Sequence, residues 1–168
     1  MKQAVQVTIQ AAISADGFIA TPDSDSDWVK DMDLFEQTAR EYGCICMGNT
    51  TFTQYQDDGF PMDGVQNLVL SRQGHKSTYP NVHYVQTVEQ AMAKAKDLDF
   101  DKLLVIGGGQ TNGSFMRAGV VGQLMLDVHP IVLGQGKKLL GDFDGQVQLR
   151  HTSTKEYPNF VCLGYDVT

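Results

Sequence analysis

Cysteine, tryptophan and positive charge are all scarce in this sequence. Three cysteines and one tryptophan occur in 168 residues. Three is an odd number, and Cys44 and Cys46 stand two apart in Cys44-Ile45-Cys46-Met47, a segment that reads as a buried strand with both thiols on one face. No second Cys/His pair at finger spacing accompanies them, so core packing fits better than a redox or metal pair. The 13 Lys and Arg against 20 Asp and Glu leave a net charge of -7. That field repels phosphate backbones and anionic lipid, so neither nucleic acid nor a membrane surface is an expected partner, and any phosphate site must be local. No run approaches the roughly 20 apolar residues of a membrane span, and Met1-Lys2-Gln3 leading into Val5 to Ile9 is not a signal peptide. The cytoplasm is the default location. His75, His83, His129 and His151 show no ligand spacing, so no metal is expected, and no nucleophile triad is visible.

What is present suits one domain, residues 1–168, with a single core that stands without disulfides or metals. Ala4 to Ser14 alternates as a strand and runs into Ala15-Asp16-Gly17. Thr21 to Asp27 reads as a surface loop. Asp33 to Arg40 carries acids first and Arg last, as a helix dipole prefers, and Gly43 closes it. Cys44 to Met47, Val65 to Ser71 and Val82 to Gln86 are strands. Thr87 caps a helix, with Gln90 three residues on, in which Val88, Ala91, Met92, Ala95 and Leu98 share a stripe. Lys102 to Ile106 is an apolar strand ending in three glycines, followed by a helix over Thr111 to Ala118. Leu124 to Leu133 is another strand, and Val147 to Ser153 pairs with Phe160 to Val167 in a hairpin around Tyr157-Pro158-Asn159. This order predicts an α/β protein: a mainly parallel central sheet with helices on both faces and an antiparallel C-terminal edge.

Three strand ends carry candidate chemistry. Gly107, Gly108 and Gly109 open a helix, where a bare backbone and free amides suit a pyrophosphate, although they do not form the GxGxxG fingerprint and a plain tight turn would look the same. Gly48-Asn49-Thr50-Thr51 offers hydroxyls and amides at a second strand end, or an ordinary cap. Ser71-Arg72 follows a third strand and could grip a terminal phosphate, or lie solvated. Ligands of open α/β sheets gather at the carboxyl ends of parallel strands, so one elongated, multiply phosphorylated ligand would connect all three.

Ser14-Ala15-Asp16-Gly17-Phe18-Ile19-Ala20, Met47-Gly48-Asn49-Thr50-Thr51-Phe52, Leu70-Ser71-Arg72 and Val105-Ile106-Gly107-Gly108-Gly109 occur in the order and spacing of dihydrofolate reductases. Asn112-Gly113-Ser114-Phe115-Met116-Arg117-Ala118-Gly119-Val120-Val121 and His129-Pro130-Ile131-Val132-Leu133-Gly134-Gln135-Gly136 resemble more specifically the reductase domain of bifunctional riboflavin-biosynthesis deaminase/reductases and its stand-alone relatives. The resemblance runs nearly end to end and implies a dihydrofolate-reductase-like three-layer sandwich that binds NADPH, or NADH. It places the nicotinamide beside Ala11, Ala12, Asp16, Gly17 and Ile19. The pyrophosphate falls on Gly48, Asn49, Thr50 and Thr51 and on Ile106, Gly107, Gly108, Gly109, Gln110 and Thr111, and the adenosine end on Ser71 and Arg72. Relatives often carry Arg, a contact to the 2′-phosphate, where this chain has Asn49; Arg72 could compensate.

The resemblance also suggests a substrate carboxylate at Asp33, five residues after Trp28, although an acid there also suits the helix dipole and Asp31 would serve as well. Asp127 interrupts the apolar run Leu124 to Val128; a strand acid is costly in a core, and the family places it on the pocket side. Asp33 and Asp127 are therefore the catalytic candidates. The implied activity is NADPH-dependent reduction of a small pterin-like or ribosylaminopyrimidine-like heterocycle; the alternative is a non-catalytic dinucleotide-binding module that lost its substrate site. The chain starts at the first strand and lacks the zinc-deaminase pattern, so no deaminase half is expected. A homodimer is expected through the C-terminal sheet, with Ile131-Val132-Leu133 and Val161-Cys162-Leu163 as its apolar surface.

Overall fold

A computed structural model of the protein describes residues 4–30 and 32–168. Met1, Lys2, Gln3 and Asp31 lie outside the described residues. Eight strands form one sheet in the order β5-β4-β3-β6-β1-β7-β10-β9. Their ranges are β1 Gln6–Ser14, β3 Cys44–Gly48, β4 Gln66–Leu70, β5 Val82–Val85, β6 Lys102–Val105, β7 Val121–His129, β9 Leu149–Glu156 and β10 Val161–Val167. The pairs from β5 through to β7 are parallel, and β10 lies antiparallel between β7 and β9. A small second sheet, which the sequence did not suggest, pairs β2 Phe18–Ala20 with β8 Lys137–Lys138.

Strand alternation sorts the core into two layers. Cys44 and Cys46 face one way, packing with Ala91 and Ala95 of α3 (Val88–Asp97) and Phe115 and Met116 of α4 (Gly109–Arg117). Ile45 and Met47 face the other way, toward Ala39 of α1 (Asp33–Tyr42) and Phe52 of α2 (Asn49–Gln54). Helices thus cover both faces of the parallel part of the sheet. Fully burying a side chain such as Phe115 or Ile45 contributes roughly 1.5–3 kcal/mol, which fixes the strand register. All three cysteines are free and buried, and burial pushes each thiol up, so the packing reading holds. Among the described residues no cluster could hold a metal and no helix is long and apolar enough to cross a membrane.

The helix signals work as read. Thr87 Oγ1 accepts from the Gln90 amide at 3.1 Å. Gly43 takes φ +71° and donates its N–H to Ala39 O, ending α1. Several boundaries shift: the first C-terminal hairpin strand spans Leu149–Glu156 rather than Val147 to Ser153, β1 starts at Gln6 and α1 runs on to Tyr42. The strand expected over Leu124 to Leu133 runs instead from Val121 to His129. Pro130 has no N–H for the ladder, and the Ile131 amide turns back onto His129 O. Val132 is left 71% exposed. The fourth helix starts at Gly109, two residues before the expected Thr111.

Candidate active site

The carboxyl ends of β1, β3, β4 and β6 open into one cleft of about 1690 Å³. That exceeds the usual 300–1,000 Å³ of a small-molecule pocket and leaves room for an elongated ligand beside a second molecule. All three candidate strand ends line it: Gly48, Asn49, Thr50 and Thr51; Ser71 and Arg72; and the run Ile106, Gly107, Gly108, Gly109, Gln110 and Thr111. Ala12 and Ile19 line it as well.

At the centre, β3 and β6 are drawn together after their last ladder bonds. The Gly48 amide donates to Gly107 O at 2.8 Å. A Cβ on Gly48 would stand 2.5 Å from Thr111 Oγ1, and one on Gly109 would collide with Lys138 O. Gly107 has φ +99°, and the Gly107–Gly108 peptide is cis. No side chain caps the N-terminus of α4. The amides of Gly109, Gln110 and Thr111 are therefore without intrahelical partners beside a bare backbone, which fits an anionic group such as a pyrophosphate. At the far end Ser71 Oγ meets His75 Nε2 at 3.1 Å, while Arg72 is exposed at the rim.

Three expected site residues stand elsewhere. Asp16 and Gly17 do not line the cleft. The Asp16 carboxylate accepts from the Leu133 amide at 3.0 Å, the Gly134 amide at 2.7 Å and Ser14 Oγ at 2.7 Å, so it clasps the loop after β7 and has little left for a ligand. The Ser14 hydrogen bond, followed by the Leu133 amide, holds its carboxyl below the usual carboxylate range. Gly17 takes φ +92° to make that turn. Asp33 is exposed on the first turn of α1. Met32, Phe35 and Glu36 line the cleft and Asp33 does not. Its position is that of an acid meeting the helix dipole. Trp28 packs edge-on against His129, with centroids 5.5 Å apart.

Asp127 does line the cleft, and it is 94% buried, at 6% exposure. Its neighbours in register are Ala12 on β1 and Cys162 on β10. With Cys162 beside it in register on β10, the Asp127 carboxyl accepts from Gln10 Nε2 at Oδ2, at 3.2 Å. Burial pushes its pKa above the usual range, outweighing the opposing hydrogen bonds and His129. The His129 ring bridges two backbone segments: Nδ1 lies 2.9 Å from Asp127 O, and Nε2 lies 3.2 Å from the Lys30 amide and 3.3 Å from the Lys30 carbonyl. Phe160 stacks on His129 at 5.0 Å. Gln10 is the cleft residue that sequence reasoning missed. Its only signal was a long polar side chain on the same strand face as Ala12, two residues before it.

A mainly parallel sheet with an antiparallel edge, flanked by helices and opening at its strand ends on a glycine-lined cleft, is the dihydrofolate-reductase-like architecture. The model of one family with that fold, the RibD C-terminal domain, matches residues 5–163, and the chain belongs to that family. It is 24% identical to the uncharacterized Bacillus subtilis (strain 168) protein YwjB over 170 residues, covering 95% of this chain and 97% of that one. A solved protein of Shewanella sp. PV-4 that carries a riboflavin-biosynthesis name superposes with a TM-score of 0.80 at 20% identity, over 97% of this chain and 99% of that chain. A diaminohydroxyphosphoribosylaminopyrimidine deaminase/5-amino-6-(5-phosphoribosylamino)uracil reductase of Thermotoga maritima gives 0.76 at 14% identity, over 98% of this chain and 57% of that chain.

Proposed function

We propose that the protein is an NADPH-dependent reductase of a small pterin-like or ribosylaminopyrimidine-like heterocycle, working in the cytoplasm, with residues 1–168 forming one domain. The observation that carries this reading is the continuity of the cleft. One cavity joins the uncapped glycine end of α4 to a buried acid. Ile106 to Thr111 and Gly48 to Thr51 would hold the pyrophosphate, Ala12 and Ile19 would flank the nicotinamide, and Ser71 would meet the adenosine end. Asn49 is neutral, which leaves Arg72 as the cation for a 2′-phosphate.

When bound, the reduced nicotinamide supplies a hydride. The chain's own part is to orient the substrate, exclude water and deliver the balancing proton. Asp127 would be the acid: its proton would pass to the heteroatom of the substrate's polarised double bond, and the carboxylate would recover one from solvent through the cleft. Gln10 holds that carboxyl in place.

Two copies would pair through the C-terminal edge, where every residue of β9 is exposed and Val132 stands clear of the sheet. Cys162 of the expected apolar surface is buried within the chain and is not available to it.

Loss of NADPH absorbance with pterin and aminopyrimidine substrates tests the activity. Titration of both cofactors tests the site: Arg72→Ala is expected to weaken NADPH on the order of tenfold and leave NADH almost unchanged. Wild-type protein that binds neither cofactor would overturn the reading.

A further inference from the structure

The two walls of the cleft carry opposite charge. On the glycine side stand Arg72 after β4, Arg117 at the end of α4, and Lys137 and Lys138 of β8, against the single carboxylate of Asp142 among the described residues. Lys138 O faces Gly109 at the start of α4, and Arg117 pairs with Asp142 at 3.0 Å. The opposite wall comes from residues 24–36 and 54–62. These two segments are tied together by the Ser26–Tyr55 hydroxyl pair and by Gln54 Nε2 donating to Ser24 O at 2.9 Å. The charged side chains of this wall, among the described residues, are Asp27, Glu36 and Asp58 against Lys30, whose Nζ donates to Asp27 O at 3.0 Å. Its apolar surface is Met32, 49% exposed, the half-buried Phe35 and Phe60, and Met62.

We propose that this second wall holds an apolar, non-anionic arm of the substrate: the protein reduces a heterocycle that carries a hydrocarbon or aromatic substituent and no phosphate. This rests on the reductase reading above and narrows its substrate class.

A cleft wall of one charge sign concentrates its counter-ions and repels its co-ions. With the dinucleotide on the glycine side, a phosphate on the substrate would be left beside three carboxylates and one ammonium that already serves a backbone carbonyl. No arginine, the side chain that matches phosphate through two hydrogen bonds, lines this wall among the described residues. Met32, Phe35 and Phe60 instead gain by being covered, because an apolar arm removes their faces from water, and a thioether adapts to varied shapes. The floor between the walls calls for a ligand independently. Gln10 Oε1 and Asp127 Oδ1 lie buried there with no hydrogen-bond partner among the described residues.

The test uses the full chain, titrated first with NADPH and then held saturated with it so that the glycine wall is filled. The probes are three uracils, 1-benzyluracil, uridine and uridine 5′-monophosphate, followed by calorimetry or ligand-observed NMR. 1-Benzyluracil is expected to bind at least about tenfold more tightly than uridine 5′-monophosphate, with uridine between them. The gap between uridine and its phosphate should shrink as salt rises, since exposed charges are screened. Glu36→Lys combined with Asp58→Lys, both at exposed positions, should bring the monophosphate to within a few-fold of uridine. Wild-type protein, which needs no variant to fold, overturns the proposal if it binds uridine 5′-monophosphate as tightly as 1-benzyluracil, or does not bind 1-benzyluracil. An unchanged ratio of uridine to its phosphate in the folded double variant does so too. The NADPH titration decides the reductase reading separately: a chain that binds NADPH but prefers the phosphorylated uracil keeps that reading and loses this substrate class.

Discussion

Gly48 at the end of β3 and Thr111 in the first turn of α4 approach so closely that a single methyl on Gly48 would stand 2.5 Å from the Thr111 hydroxyl. The backbone at Gly48 is ordinary, with φ -73°, so contact alone forbids a side chain there. Gly48→Ala should cost about 1–3 kcal/mol through overpacking. Adding Thr111→Ala removes the colliding oxygen and should recover most of that loss. Urea melts of the two single variants and the double variant give the coupling; simple additivity would mean that the contact is not the cause.

Gly108 probes the cradle more selectively than its neighbour. Its φ is -65°, and a Cβ there would meet Thr51 Oγ1 at 3.4 Å, a contact that small shifts absorb. Gly108→Val should keep its circular dichroism yet bind NADPH at least about tenfold more weakly, roughly 1.4 kcal/mol. Gly109→Val, driven into the Lys138 carbonyl, should lose the fold itself. Undiminished NADPH affinity in a folded Gly108→Val would remove the pyrophosphate from this strand end.

Asp16 has a structural task, and its pH signature should show it. Hydrogen bonds from Ser14, Leu133 and Gly134 depress its folded pKa below the ordinary 3.8. Its contribution to stability is then complete above the unfolded value and is lost as pH falls through the lowered folded value. Asp16→Asn should melt below wild type at neutral pH, with the gap closing in acid. A gap that stays constant down through that window would contradict the assignment.

Asp127 should behave in the opposite sense. Burial raises its folded pKa above the ordinary 3.8, so the folded state holds a proton that the unfolded chain has released, and stability declines as pH rises through the folded value. Asp127→Asn cannot ionise. At neutral pH it should melt higher than wild type. Reduction should meanwhile slow by at least about a hundredfold for want of the acid. Thermal melts against pH, read beside turnover, check both; a less stable variant that still turns over would refute the role.

The sequence by itself determined most of the elements and the run of glycines that ends β6. Strand and helix periods, the Thr87 cap, Gly43 and the position of Gly107 to Gly109 are local signals, set by backbone conformation and by which face must be buried. Tertiary structure alone decided which polar side chains reach the cleft. Asp16 reads as a site residue because its loop adjoins the first strand, but its acceptors are taken by amides of residues 133 and 134, over a hundred positions away. Asp33 and Trp28 have a suggestive spacing, yet the acid stands exposed outside the cleft lining while the ring packs onto His129. Gln10 looked like any polar residue of an alternating strand. It became a candidate because the parallel register of β1 and β7 places it diagonally beside Asp127, within hydrogen-bond reach, and register between strands more than a hundred residues apart follows from packing the whole sheet rather than from either strand's own residues.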